Sequence, residues 1–395
     1  MMPMHAQDAA VVQKWGNQTL SVISRIARAT HRSGVARRRY KVGRITIARH
    51  LFGVFRLNGL RPVEALEAGL GNPRLPKEEL SACFSKRELM ALQDQLNPRA
   101  LTALTEDKSV FYPLCQAMAI PVPVTYAVIS RDGGWIAPGS PIVSRDEWLR
   151  CLPQVLPTTF IVKPANGVYG EAISAWTRIG DEVRDHTGEI FTFAALYDAL
   201  RTHEKYERFI VQQRLENHDE IIRLTARPSL QTVRVASFLD ANGVAHLLYA
   251  EWKLIVGNHV SDNFMRGRNG NLMANVALDT GVLGPARTPA ADGVGYDAIP
   301  IHPVTDLPIA GFVLPCWQEV RELVLRSASL FAPLRTIGWD VAITPTSPVI
   351  VEGNRWWDPP NDAVTGPSAP GVIKHEMIAA AKVLREAGNP TVAKR

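Results

Sequence analysis

Two apolar runs near the C-terminus constrain this chain most: IGWDVAIT (337–344) and PVIVEGN (348–354), joined by the three residues PTS. Both read as buried strands, and so short a connection makes them antiparallel neighbours. With the loop centred on Thr346, Asp340 falls opposite Glu352. Opposed residues have Cα atoms about 4.5–5.5 Å apart, and like charges there destabilise a sheet unless something positive lies between them. Glu352 and Asn354 are two apart, so their side chains share a face. Asp340, Glu352 and Asn354 then form a patch of oxygen donors of the kind Mg2+ takes alongside waters and phosphate oxygens. The competing reading makes the two acids edge charges facing water; the apolar flanks weigh against it, because an unpaired carboxylate among them is costly. RWWDPP follows. Arg355 is a candidate for bidentate capture of a substrate carboxylate or phosphate. Trp356 or Trp357 either walls an acceptor pocket or packs into the core.

The other end of the chain is basic. Its first 60 residues hold eleven Lys or Arg against one acid, Asp8, a surplus larger than the net charge of +6, so the remainder is mildly acidic. From Val11 to about Ala103 the pattern reads as short helices, with Val11, Leu20, Ile23, Ile26 and Ala27 near helical spacing and HRSGVARRRYKVGR as a polar break. RITIARHLFGVFRLNG mixes apolar residues with Arg as a basic amphipathic surface does. Three readings stay open: a helical subdomain with solvated arginines, contact with an anionic surface (membrane, glycan or nucleic acid), or a transit peptide. Nucleic acid is disfavoured, since basic and aromatic residues do not interleave elsewhere. No apolar run reaches the roughly 18 residues of a membrane span, and the N-terminus has no basic start leading into an apolar core. Cys83, Cys115, Cys151 and Cys316 are scattered without metal-ligand spacing, which suits a reducing cytoplasm.

Beyond residue 104 strands and helices alternate, giving an α+β expectation. KSVFYPLCQAM reads as a helix and VTYAVIS as a strand. TFAALYDALRTH is a helix capped by Thr192 with Ala195, Leu196, Ala199 and Leu200 on one face. Two strands meet at the turn Asn242-Gly243, and CWQEVRELVLRSASLF and VIKHEMIAAAKVLREAG are further helices. Lys163 ends a buried strand beside a loop containing Gly167 and Gly170, where backbone N–H groups can approach phosphates. Neither a GxxxxGK[ST] loop nor a GxGxxG is present. Ser-His-Asp, Cys-His and HExxH patterns are missing too, and His218 reads as a surface residue.

EDKSVFYPLCQAMAIPVP, TFIVKPANGVYGEAI, RFIVQQRL, SLQTVRVASFLD, SDNF, GWDVAIT and VIVEGN, in that order over roughly residues 105–380, resemble the ATP-grasp superfamily, most of all its sugar-transfer-associated group. The resemblance implies two α+β lobes sandwiching ATP, at 105–207 and 208–395, after a basic helical region at 1–104. It implies that Lys108 and Lys163 hold ATP phosphates beside Gly167 and Gly170. The run Gln212, Gln213, Arg214, Leu215 would line adenine, with Glu216 a ribose candidate. Asp340, Glu352 and Asn354 match the magnesium ligands; Arg234 and Lys253 are placed toward the triphosphate or acyl phosphate, although Arg234 has a salt bridge to a core acid as its structural alternative. Asn263 of SDNF joins Arg355 as a substrate candidate. Two departures stand out: Val168, Tyr169 and Glu171 add bulk and charge to the phosphate loop, and RWWDPP follows EGN where the family has small residues. The implied activity is a cytoplasmic, ADP-forming carboxylate–amine ligase that makes an amide through an acyl phosphate, in saccharide or secondary-metabolite biosynthesis. The alternatives are a phosphotransferase acting on a hydroxyl and a non-catalytic ATP-binding scaffold.

Overall fold

The computed structural model describes residues 28–136, 140–167, 170–257, 262–359 and 370–386. The helical spacing from Val11 to Ala27 and the loop residues Val168 and Tyr169 lie outside these. The chain divides into two units, one of residues 1–89 with 289–297 and 359–374, the other of the remainder. No helix among the described residues is long and apolar enough to cross a membrane.

In the first unit, helix α1 (28–40) is followed by α2 (Arg44–Asn58), α3 (Pro62–Glu67) and α4 (Lys77–Ala82). Their core joins Val35, Ala36, Ile47, Leu51, Val54 and Leu66 to Val294 from far along the chain. HRSGVARRRY is therefore helical, not a polar break. Its Val35 and Ala36 are buried, Arg32 pairs with Glu67, and Arg39 donates to the Val294 carbonyl at 2.7 Å.

The described residues form two sheets, the first of them wholly within the second unit. The first orders its strands β3-β2-β1-β8-β4-β5-β6-β7. These are β1 (Thr125–Ser130), β2 (Gly133–Ile136), β3 (Ser140–Ile142), β4 (Thr159–Pro164), β5 (Ser174–Ile179), β6 (Glu182–Asp185), β7 (Ile190–Thr192) and β8 (Arg208–Gln213). One face buries Ala127, Phe160, Val162, Phe209 and Val211 with residues of α8 (Arg145–Val155) and α9 (Phe193–Arg201). Thr192 caps α9 as expected, accepting from Ala195 N at 3.1 Å. The buried stripe is Phe193, Leu196, Tyr197 and Leu200, rotated from the expected face because the larger side chains claim the core. Strand β8, expected to open the second lobe at residue 208, lies instead between β1 and β4, so the sheets do not divide there.

The second sheet runs β13-β12-β11-β10-β9-β14-β15. It comprises β9 (Thr232–Leu239), β10 (Ala245–Leu254), β11 (Leu272–Val276), β12 (Leu283–Pro289), β13 (Tyr296–Ile299), β14 (Thr336–Ile343) and β15 (Pro348–Asn354). Helix α10 (Asp219–Thr225) follows β8, and α11 (Trp317–Leu330) covers the face bearing Val233, Val235, Trp252, Trp339 and Val341. Helix α12 (Pro370–Glu386) closes the described chain.

Asp340 does pair with Glu352, but the hairpin gets there by a different route. Near the turn Ile343 faces Pro348 and Val341 faces Ile350; at Asp340 the register shifts, leaving Val351 as an extra residue on β15. The Val351 carbonyl accepts from the Tyr112 hydroxyl at 2.7 Å.

Residues 90–104, expected in the N-terminal region, belong to the second unit. The reason is polar. Helix α5 (Lys86–Leu96) ends at Asn97, which is fully buried. Asn97 Nδ2 donates to the carbonyls of Thr336 (2.8 Å) and Arg355 (3.2 Å), and its Oδ1 accepts from Arg335 N (2.9 Å) and Thr336 N (3.1 Å). Four main-chain groups at the start of β14 and end of β15 thus depend on one amide. Replacing Asn97 by Ala leaves them unpaired out of water, with an expected loss of about 2–4 kcal/mol. Urea denaturation checks this: an unchanged midpoint would show that the four groups find other partners.

Candidate active site

Antiparallel pairing sets a row of polar side chains across the second sheet. Glu352 faces Asp340, Asp340 faces Arg234, Arg234 faces Glu251, and Glu251 faces Asn275. Directly opposed residues share a face. This is the face away from Val235, Trp252 and Trp339, which alternate with the row. Asp340 is buried and accepts from Arg234 Nε at 2.5 Å and Nη2 at 3.0 Å; Lys253 Nζ lies 3.0 Å from its Oδ1. Burial alone would raise the Asp340 pKa, but the two cations overcome it and hold the carboxyl well below its ordinary range. Arg234 is correspondingly raised: its burial works against the charge, and Asp340 outweighs it. Lys253 also donates to Thr232 Oγ1 at 3.2 Å. Behind it Asp262 accepts from Thr232 N at 2.7 Å and Oγ1 at 2.5 Å, and burial raises the Asp262 pKa.

Helix α7 (Lys108–Ala117), after the one-turn α6 (Ala103–Glu106), brings Lys108. Asp107 caps it, accepting from Ser109 N at 2.9 Å, and Lys108 N donates to Ala165 O at 3.0 Å, docking the first turn against the end of β4. Phe111 packs where Gly353 has no side chain; a Cβ there would lie 3.0 Å from its ring. Lys108 Nζ then sits 3.2 Å from Glu352 Oε1 and 3.2 Å from the Gly167 carbonyl, tying the loop after β4 to β15. Lys163 is buried at the end of β4 and donates to Tyr112 Oη at 2.6 Å. Burial, reinforced by Lys108, lowers its pKa from 10.5 to about 7, with Glu352 and Asp340 pulling the other way. Something positive does lie beside each opposed carboxylate: Lys108 at Glu352, Arg234 and Lys253 at Asp340.

The structure gathers Lys108, Lys163, Arg234, Lys253, Asp340 and Glu352. Asn354 occupies the next same-face position, opposite Gly338, to whose carbonyl it donates at 3.3 Å. Gln212 is buried on β8. Gln213 Oε1 accepts from Val124 N at 3.2 Å, and Arg214, Leu215 and Glu216 continue as an irregular segment with Arg214 and Glu216 exposed. His218, half-buried, caps α10. The Asn263 carbonyl accepts from Asn269 (2.7 Å) and Asn271 (3.1 Å). Gly170 has φ 72°, and Glu171 is engaged by Lys205 and by Tyr206 Oη, the latter at 2.6 Å.

Arg355 departs from its expected role. It is 1% exposed, with Nη2 2.9 Å from Asp94 and its guanidinium 4.3 Å from the Trp356 ring centre, so its charge is spent within the body. Trp357 is buried over Gly338, where a Cβ would come within 2.6 Å of the Trp357 Cβ; its Nε1 donates to Thr336 Oγ1 at 3.0 Å, and Tyr249 lies at 5.5 Å between ring centres. Trp356 is 40% exposed. Sequence reasoning missed Tyr112 and Asp262. Tyr112 stands one helical turn beyond Lys108, a spacing that marks a shared face. Asp262 carried only its place in SDNF.

These residues fit a nucleotide and Mg2+. The donors on the β14–β15 face are hard oxygens, as Mg2+ requires. Two of the three are carboxylates and the third an amide, and among the described residues no three His, Cys, Asp or Glu are grouped as for a metal ion. Toward the first sheet, Thr125 Oγ1 and Gln212 Oε1 are buried without hydrogen-bond partners on directly paired residues. A polar base would satisfy both.

Solved structures with partial likeness include D-alanine–D-alanine ligase from Bacillus anthracis (TM-score 0.39, 12% identity, 72% of this chain and 70% of that one). Others are an L-amino acid ligase from Bacillus licheniformis (0.33, 11%, 64% and 41%) and an N5-carboxyaminoimidazole synthase from Aspergillus clavatus (0.33, 8%, 69% and 51%). This chain thus spans less than half of the L-amino acid ligase. No curated protein matches the sequence. The model of one family, sugar-transfer associated ATP-grasp, matches residues 88–374, well over half of the chain, and the chain belongs to that family.

Proposed function

We propose that this chain is an ATP- and Mg2+-dependent carboxylate–amine ligase that forms an amide through an acyl phosphate, acting in saccharide or secondary-metabolite biosynthesis. The observation that carries this reading is the convergence of Lys108, Lys163, Arg234 and Lys253 on Asp340 and Glu352, with Lys108 3.2 Å from both Glu352 and the loop carbonyl of Gly167. Asp340, Glu352 and Asn354 would hold Mg2+, which when bound supplies Lewis-acid neutralisation of phosphate charge. Lys108 and Lys163 would hold phosphates. Arg234 and Lys253 meet the charge that gathers as the γ-phosphoryl moves to a substrate carboxylate oxygen and ADP leaves. The amine then forms the C–N bond, the C–O bond to phosphate breaks, and phosphate departs as the amine gives up its proton. Gln212 Oε1 and Thr125 Oγ1 would take the base.

A mixture of ATP, Mg2+, hydroxylamine and pooled carboxylates tests the reaction, because an acyl phosphate is trapped as a hydroxamate. A phosphorylated hydroxyl product without hydroxamate would replace ligase by phosphotransferase, and ATP binding without any turnover would make the chain a scaffold. Glu352→Gln is expected to lower turnover by roughly 100-fold or more; unchanged turnover would remove Glu352 from the metal set.

Lys163 adds a pH signature. With a folded pKa of about 7 against 10.5 for an ordinary lysine, the unfolded chain binds more protons in that window, so this group makes stability rise with pH across it. Phosphate oxygens favour the charged form, so nucleotide binding near pH 8 should draw in close to one proton, about 0.9 at most. Calorimetry in buffers of different ionisation enthalpy measures this uptake. Lys163→Met should abolish it, and uptake that survives the substitution would locate the proton elsewhere.

A further inference from the structure

Helix α2 has two apolar stripes where a helix docked on one body needs one. Ile47, Leu51, Val54 and Asn58 form the buried stripe. Ile45, Ala48, Phe52 and Phe55 recur at the same helical spacing but face solvent, Ile45 being 70%, Phe52 62% and Phe55 43% exposed. At about 100° per residue the second stripe lies roughly 110° round the helix from the first. Arg44 borders it on one side and Arg49 and Arg56 on the other, all three exposed, and α2 contains no acid.

We propose that this stripe docks the protein on an anionic lipid surface, with Phe52 and Phe55 entering the headgroup boundary and Arg44, Arg49 and Arg56 meeting lipid phosphates and carboxylates. Charge complementarity selects this occupant. A second copy would set the same arginines against one another. Residues 1–27 carry Lys14 and Arg25 against the single acid Asp8, so they too bring the wrong sign. An anionic bilayer supplies both an apolar layer for the phenylalanines and opposite charge at the depth of the arginines.

Sedimentation of the full chain with phosphatidylcholine vesicles, with and without phosphatidylserine, tests the proposal. Binding is expected to the serine-containing vesicles and to weaken as salt rises. Phe52→Ser with Phe55→Ser, and separately Arg49→Glu with Arg56→Glu, should each lower partitioning roughly tenfold or more. Both pairs leave Ile47, Leu51 and Val54 in place, and an unchanged circular dichroism melt confirms folding. Four results would overturn it: no binding to either vesicle; binding that neither pair alters; a dimer that the phenylalanine pair dissolves, which assigns the face to a second copy; or a melt lowered by that pair without vesicle binding, which assigns it to the chain's own residues.

Discussion

Two carboxylates set opposite one another on neighbouring strands are an electrostatic liability, and the site is organised around meeting it. Asp340, buried, and Glu352, half-buried, cannot share one β-hairpin rung unless cations reach both. The cations come from different places. Arg234 and Lys253 are supplied by the sheet itself, one strand and two strands from Asp340, whereas Lys108 arrives on a helix. Removing one partner of such a group leaves the other charge buried and uncompensated, so the cluster stands or falls together.

That demand extends into packing. Lys108 reaches Glu352 because α7 lies close to β15, and α7 lies close because Gly353 leaves room for Phe111. On the opposite side of the hairpin Gly338 leaves room for Trp357, which forms a wall beside Arg234. The residues after Asn354 are fastened from the α5 side, through Asp94 to Arg355 and through Gln93 Nε2 to the Trp357 carbonyl at 2.9 Å. Residues 355–357 are thus mainly a brace for the hairpin. Trp356, exposed and stacked on Arg355, is its solvent-facing member.

Much of this was legible in the sequence, for identifiable reasons. Alternation marks β9 and β10, apolar runs mark β14 and β15, and the two-residue spacing of Glu352 and Asn354 puts them on one face of the sheet. Asp340 was matched to Glu352 correctly, though from a loop centred on Thr346 rather than from the bulge at Val351, which has no signature in residue type. Arg355 differs: its partner, Asp94, is 261 residues away, and no local pattern announces so distant an ion pair. The break placed at residue 208 failed similarly: RFIVQQ is clearly a strand, but which sheet receives it depends on partners elsewhere. Asn97 looks like any polar residue after a helix. Its four hydrogen bonds depend on tertiary contact alone.

The extra residue at Val351 gives the hairpin a parity. From Ile343 and Pro348 inward, an unbulged ladder would carry Glu352 opposite Trp339, on the face covered by α11, and Gly353 to the cation side. The bulge restores the phase, and the Tyr112 hydroxyl on the Val351 carbonyl secures it. Loss of the extra residue alone would leave a regular ladder with Glu352 still opposite Asp340, whereas closing the ladder regularly with every residue kept exchanges inside for outside along the rest of β15. The bulge is therefore the slack from which this hairpin can lose one residue without turning its carboxylate away from the cations.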